Sequence, residues 1–107
     1  VERRFAMRTL EVGAAAHVLT LTGELDGAVV PEIDAELQLL GNGHVIVDLL
    51  AVTFIDADGL AAITRAAQSR ELTLVVDARI ERLFKATALA GRVRVTSSLS
   101  TAVAEAV

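Results

Sequence analysis

The chain has 107 residues, 53% apolar and 22% charged, with ten basic against fourteen acidic side chains and a formal net charge of −4. That length fits one domain, 1–107, in which about 65% of the unfolded surface can be buried, so a core needs neither disulfide nor metal. The absence of Cys excludes disulfide frameworks, thiol catalysis, Cys-type zinc sites and iron–sulfur clusters, and a pI near 5.0 with three Phe and no Trp or Tyr argues against nucleic-acid binding.

The mean hydropathy of +0.55 comes largely from Ala and Val in short runs. No stretch approaches the roughly 18 to 20 apolar residues of a membrane span, and no secretory pattern is visible. No membrane insertion is therefore expected. The first residue is Val rather than Met, so a trimmed N-terminus is expected and a longer parent chain stays open. The two His residues, His17 and His44, are too few to suggest a metal centre.

Period-2 and period-3.6 segments alternate along the chain. Phe5 to Val12 reads as a first strand, followed by a small-residue turn at Gly13–Ala16. His17 to Thr22 alternates Val18, Thr20 and Thr22 against Leu19 and Leu21, a second strand. After an expected loop at Gly23–Gly27, apolar residues at Val30, Ile33, Leu37 and Leu40 mark one helix face, with Glu32, Glu36 and Gln38 elsewhere on its surface. Pro31 sits early in that helix, where its missing N–H does least harm, and Gly41-Asn42-Gly43 supplies left-handed residues to stop it.

Val45 to Leu50 is an apolar β-branched run of the kind buried on both faces. A second helix is expected from about Asp58 to Arg70, with Leu60, Ile63 and Ala67 inward, and then a buried strand from Leu72 to Val76. A third helical face follows at Ile80, Leu83, Phe84 and Thr87, with Arg79, Arg82 and Lys85 pointing to solvent. Val93 to Val95 is a short last strand. Ser97 or Ser98 can cap a final helix with Leu99, Ala102, Val103 and Ala106 inward. The order ββαβαβαβα implies an α/β fold, a mostly parallel sheet with an antiparallel edge and packed helices.

Function in open α/β sheets concentrates where strands end and helices begin. Two such junctions are unusual here: Thr22-Gly23-Glu24-Leu25-Asp26, and Thr53-Phe54-Ile55-Asp56-Ala57-Asp58-Gly59-Leu60. They put Glu24, Asp26, Asp56 and Asp58 near one end of the sheet. Paired carboxylates can act as general acid and base or hold Mg²⁺. No nucleophile, Lys or His lies nearby in sequence to complete such a site, so neither catalysis nor a metal is expected. Asp58 also suits a helix start, Asp56 and Asp26 suit turns, Glu24 suits an exposed loop, and His17 and His44 suit ordinary edge positions.

The pairing of Gly23-Glu24-Leu25-Asp26 with Val47-Asp48-Leu49 and Phe54-Ile55-Asp56-x-x-Gly59-Leu60 resembles the STAS domain of bacterial anti-sigma factor antagonists. The resemblance runs over essentially the whole chain. It implies a cytoplasmic protein without catalytic activity or cofactor. Such a protein binds an anti-sigma factor that is also a serine kinase of the histidine-kinase-like ATPase fold, and so regulates sigma-factor-dependent transcription. The implied partner surface is Gly23, Glu24, Leu25 and Asp26 with Asp56, Ala57, Asp58, Gly59 and Leu60, together with the exposed side of the second helix.

In that family the phosphorylated residue is the second Ser of a DSSGL-like motif. Here the motif reads Asp56-Ala57-Asp58-Gly59-Leu60, so Asp58 stands at the acceptor position and offers no hydroxyl. Asp supplies about −1 charge where a phosphoserine supplies about −1.5 to −2. The resemblance thus implies a non-phosphorylatable, imperfectly phosphomimetic member locked in one signalling state, with binding either permanently on or permanently off. STAS domains also occur as subunits of lipid transporters and as tails of anion transporters, and a non-switching scaffold in a signalling assembly is a further alternative. Partner identity and oligomeric state stay open at this level.

Overall fold

The computed structural model describes residues 4–86 and 93–106. Within them the elements are β1 (Phe5–Val12), β2 (Ala16–Leu25), α1 (Val30–Leu39), β3 (His44–Ile55), α2 (Ala57–Ser69), β4 (Leu72–Val75), α3 (Ala78–Lys85), β5 (Arg94–Thr96) and α4 (Leu99–Ala106). The strands form one sheet in the order β1-β2-β3-β4-β5. Only β1 and β2 pair antiparallel, joined by a tight turn in which Gly13 takes φ 64°; β2 to β5 run parallel. The expected α/β class and element order hold.

The strand order decides where the helices lie. Each connection from β2 to β5 steps to the neighbouring strand in one direction, and right-handed crossovers then deliver α1, α2 and α3 to a single face. Their inward side chains Ile33, Leu37, Ile63, Ala66, Ile80 and Phe84 join Leu19, Leu21, Val45, Val47, Leu49, Leu72 and Leu74 in the main core. Helix α4 follows the last strand and packs on the opposite face, where Ala102 meets Val18, Ile46 and Val75, with Leu99, Val103 and Ala106 around them. Ser98 caps it, its Oγ accepting the Thr101 N–H at 3.2 Å.

Several boundaries differ from those expected. The loop at Gly23–Gly27 begins only after Leu25, because Gly23, Glu24 and Leu25 pair with Val52, Phe54 and Ile55. Strand β3 is correspondingly long, running past Leu50 to Ile55. Two register shifts, between Thr20 and Thr22 and between Gly23 and Glu24, break the period-2 alternation, which hides the extension from a pattern reading. Leu50, expected to be covered, is 44% exposed at this irregularity.

On α2, Ala62, Ile63 and Ala66 are the deeply buried positions, with Leu60 and Ala67 only partly buried at the margin of the core. On α3, Leu83 is 40% exposed; the helix ends at Lys85 and Thr87 lies outside the described residues. Arg79 is not simply solvated: its guanidinium donates to the Val52 carbonyl at 2.8 Å, tying α3 to the irregular stretch of β3. Nor is His44 an edge residue. It opens the central strand β3 and its Nε2 lies 2.8 Å from Thr73 Oγ1 on β4. His17, likewise, lies on β2, inside the sheet.

Of the three glycine-region residues expected to stop α1, Gly41 takes the left-handed conformation (φ 71°). Its N–H donates to the Gln38 carbonyl at 3.2 Å.

Candidate functional site

Strands β2 and β3 end side by side, with Leu25 opposite Ile55. The Leu25 carbonyl accepts the Asp56 N–H at 3.2 Å, so the entry to α2 is fastened to the end of β2. Asp56 is extended and serves as the α2 N-cap, its Oδ1 accepting the Gly59 N–H at 2.9 Å. This satisfies one of the N–H groups that a helix start leaves without an intrahelical partner. Gly59 is buried, and a Cβ there would collide with the Leu25 carbonyl. Glycine is therefore what lets the first turn of α2 sit so close to β2.

The other side of the site is built from Gly23 to Gly27. Gly23 takes φ +92°, and a Cβ on it would strike the Arg4 carbonyl. That carbonyl accepts the Glu24 N–H at 2.8 Å, closing the start of β1 on the end of β2. Glu24 then reaches Arg4 Nη1 at 3.4 Å, an exposed and weak ion pair. Asp26 makes an Asx turn, its Oδ1 accepting the Ala28 N–H at 3.0 Å while its carbonyl accepts the Val29 N–H at 3.2 Å. Leu25 is fully buried in the main core.

The four carboxylates thus do different things. Asp56 and Asp26 are engaged by backbone N–H groups, and Glu24 is turned toward Arg4. Asp58 is exposed in the first turn of α2. A Cβ placed on Gly27 would lie 2.8 Å from Asp58 Oδ2, so the loop after β2 runs directly past this carboxylate. Among the described residues Asp58 has no hydrogen-bond or ionic partner, whereas the described Asp and Glu side chains apart from it all have one. The described residues contain no group of three or more His, Cys, Asp or Glu side chains arranged to hold a metal ion.

Beside Asp58, the outer side of α2 carries an open groove of about 380 Å³ lined by Ala57, Leu60, Ala61, Thr64, Arg65 and Gln68. Phe54, in register with Glu24, adds a half-exposed aromatic ring to the same end of the sheet. The sequence reading names Gly27 as the end of a loop and Phe54 as part of a motif, but places neither on the contact surface. Gly27 has a signal, the Asp26-Gly27 turn pair; Phe54 has none, because its exposure follows from the register shift.

The STAS domain family model matches residues 8–106, and the chain belongs to that family. Its fold is similar to that of an anti-sigma factor antagonist from Mycobacterium paratuberculosis, with a TM-score of 0.82 and 17% identity over 95% of this chain and 93% of that one. It is also similar to the Bacillus cell fate determinant SpoIIAA in its phosphorylated form, with a TM-score of 0.71 and 18% identity over 94% and 98% of the two chains. A third similar structure is the murine anion transporter Slc26a9, with a TM-score of 0.66 and 17% identity over 98% of this chain but 22% of the transporter. No curated protein sequence matches the chain. No helix among the described residues is long and apolar enough to cross a membrane.

Proposed function

We propose that this STAS domain is a non-catalytic, cofactor-free interaction module that binds an anti-sigma factor of the serine-kinase type in the bacterial cytoplasm, and thereby regulates sigma-factor-dependent transcription. The contact surface in this reading is the end of β2 with the loop after it (Gly23 to Asp26), the α2 entry (Asp56 to Leu60) and the outer side of α2. The observation that carries it is Asp58. The neighbouring Asp56 is used up in capping the helix, while Asp58, which the motif resemblance sets at the position of the phosphorylated Ser, is exposed and unpaired among the described residues.

A helix N-terminus tolerates an anion there by about 0.3 to 1 kcal/mol, so a charge at this position changes the outer surface and leaves the fold alone. The switch is therefore fixed: the residue offers no hydroxyl to receive a phosphoryl group, and its surface is always anionic. The test incubates the protein with a purified kinase-type anti-sigma factor from its own genome and γ-labelled ATP. The wild type takes up no label and Asp58→Ser does. Label in the wild type, or none in Asp58→Ser, overturns the reading.

The anion-transporter likeness favours a second reading, a STAS domain working beside a transporter. Its mark is a stable complex with a transporter subunit that is indifferent to the charge at residue 58.

A further inference from the structure

Strand β1 is an edge of the sheet, and its ladder with β2 runs without a break from Phe5–Gly23 to Val12–Ala16. The Arg4 carbonyl accepts the Glu24 N–H, and hydrogen-bonded pairs alternate along an antiparallel ladder. Ala6, Arg8, Leu10 and Val12 therefore turn their backbone groups to β2. Met7, Thr9 and Glu11 turn theirs outward, where no described strand lies. Open edges are usually blunted by Pro, Lys, a bulge or shortness. This one is eight residues long, regular, and has neither Pro nor Lys. The opposite edge, β5, has only three residues.

The residues of β1 suit pairing with a second copy of themselves. About a two-fold axis normal to the sheet, strands meet antiparallel and each residue i lies opposite a residue j with i + j constant. Centred on Arg8, such a pairing sets two like charges side by side. Centred on Leu10 it runs Met7 past the end of the other strand, and centred on Met7 it does the same to Glu11. Centred on Thr9 it engages all three outward-facing residues. Thr9 then meets its own copy and Met7 meets Glu11 on both sides, for roughly six backbone hydrogen bonds. The same register lays Arg8 of each copy beside Leu10 of the other, on the face away from α1. Leu10 is 62% exposed, no described residue pairs with Arg8, and an Arg stem covers apolar surface well. On the α1 face each Thr9 hydroxyl donates to Glu36 at 2.6 Å, so two carboxylates flank the axis and keep the pairing reversible.

We propose that β1 is a homodimerisation edge: two copies join β1 to β1, antiparallel and centred on Thr9, so that their sheets become continuous. Both long edges are consumed, and the assembly closes as a dimer instead of growing into a fibre. The two Asp58 surfaces come to opposite ends of the joined sheet and stay open, so the dimer is independent of what binds there.

Sedimentation equilibrium over a wide range of concentrations measures the dimer's dissociation constant for wild type and variants, with thermal melts to show that each folds. The wild type is expected to dimerise reversibly. Glu11→Pro deletes an outward N–H, which an edge strand tolerates on its free side, and abolishes the dimer. Leu10→Glu, set against Arg8 of the other copy, tightens the dimer about fivefold or more; Leu10→Arg weakens it by as much, and adding Arg8→Glu to Leu10→Arg restores it. Leu39→Arg, on α1 and 81% exposed, changes nothing.

A wild type that stays monomeric at every concentration overturns the proposal. So does a dimer that survives Glu11→Pro in a folded protein, because the contact then lies on another surface. Should Glu11→Pro fail to fold, the Leu10 and Arg8 charge series decides alone. If Leu10→Glu and Leu10→Arg shift the dissociation constant alike, the Thr9-centred pairing is wrong and the proposal falls with it.

Discussion

Gly27 and Asp58 face each other across the gap between the β2–α1 loop and the first turn of α2: a Cβ on Gly27 would lie 2.8 Å from Asp58 Oδ2. The loop backbone therefore sets the space in which the Asp58 carboxylate turns, although the two residues are far apart in sequence. The contact is with the far end of a side chain, so Gly27→Ala is expected to displace Asp58 more than to unsettle the fold. In a double-mutant cycle with Asp58→Ala, the effects of the two substitutions on partner affinity should be non-additive by about 0.5 kcal/mol or more. Additivity would mean that the loop does not position the carboxylate.

Gly59→Ala should be the more damaging substitution. Its Cβ is directed at the Leu25 carbonyl, a backbone atom already engaged by the Asp56 N–H. Relief requires α2 to move off the sheet end. A loss of about 1–3 kcal/mol is expected from such overpacking, and chemical denaturation would measure it. A stability within a few tenths of wild type would show that α2 is not held so closely.

Asp56→Ala removes the N-cap that accepts the Gly59 N–H at 2.9 Å. The expected cost is about 1 kcal/mol. Asp58→Ala, which removes only a favourable charge from the same helix turn, should cost a few tenths to 1 kcal/mol. Equal denaturation midpoints for the two variants would contradict this division between a structural and an outward-facing acid.

Arg79→Met tests the tie between α3 and the irregular part of β3. The guanidinium donates to the Val52 carbonyl at 2.8 Å but is 47% exposed, so its loss should cost only about 1 kcal/mol. Amide exchange should quicken around Val52 to Ile55 more than in α1. Uniform exchange changes would argue that the contact is incidental.

Most of the fold is legible in the sequence because its core obeys simple periods. Ile33 and Leu37 lie three or four residues from their apolar neighbours on one helix face, and Val45 to Val47 form a run that only a strand covered on both sides can bury. The ends of β2 and β3 are not legible in this way. Gly23 and the register shifts beside it break the alternation, so paired strand reads as loop and Phe54 gives no sign of its exposure. Arg79 is misread for a different reason. A cation on an amphipathic helix looks solvated, and its carbonyl acceptor lies 27 residues away on another element. At the site, Asp56 and Asp58 are visible as an acidic pair, but only the geometry separates the capping acid from the unpaired one. The groove on α2 is half visible: small residues at helical spacing read equally well as core.

The central claim is that Asp58 fixes this STAS domain in a state that cannot be switched by phosphorylation. The most direct measurement is its affinity for the purified kinase-type anti-sigma factor before and after incubation with ATP, alongside Asp58→Ser. The account predicts that the wild type's affinity is the same before and after, while Asp58→Ser, once phosphorylated, changes its affinity about tenfold or more. An ATP-dependent change in the wild type, or an Asp58→Ser variant whose affinity ATP leaves unchanged, would contradict it.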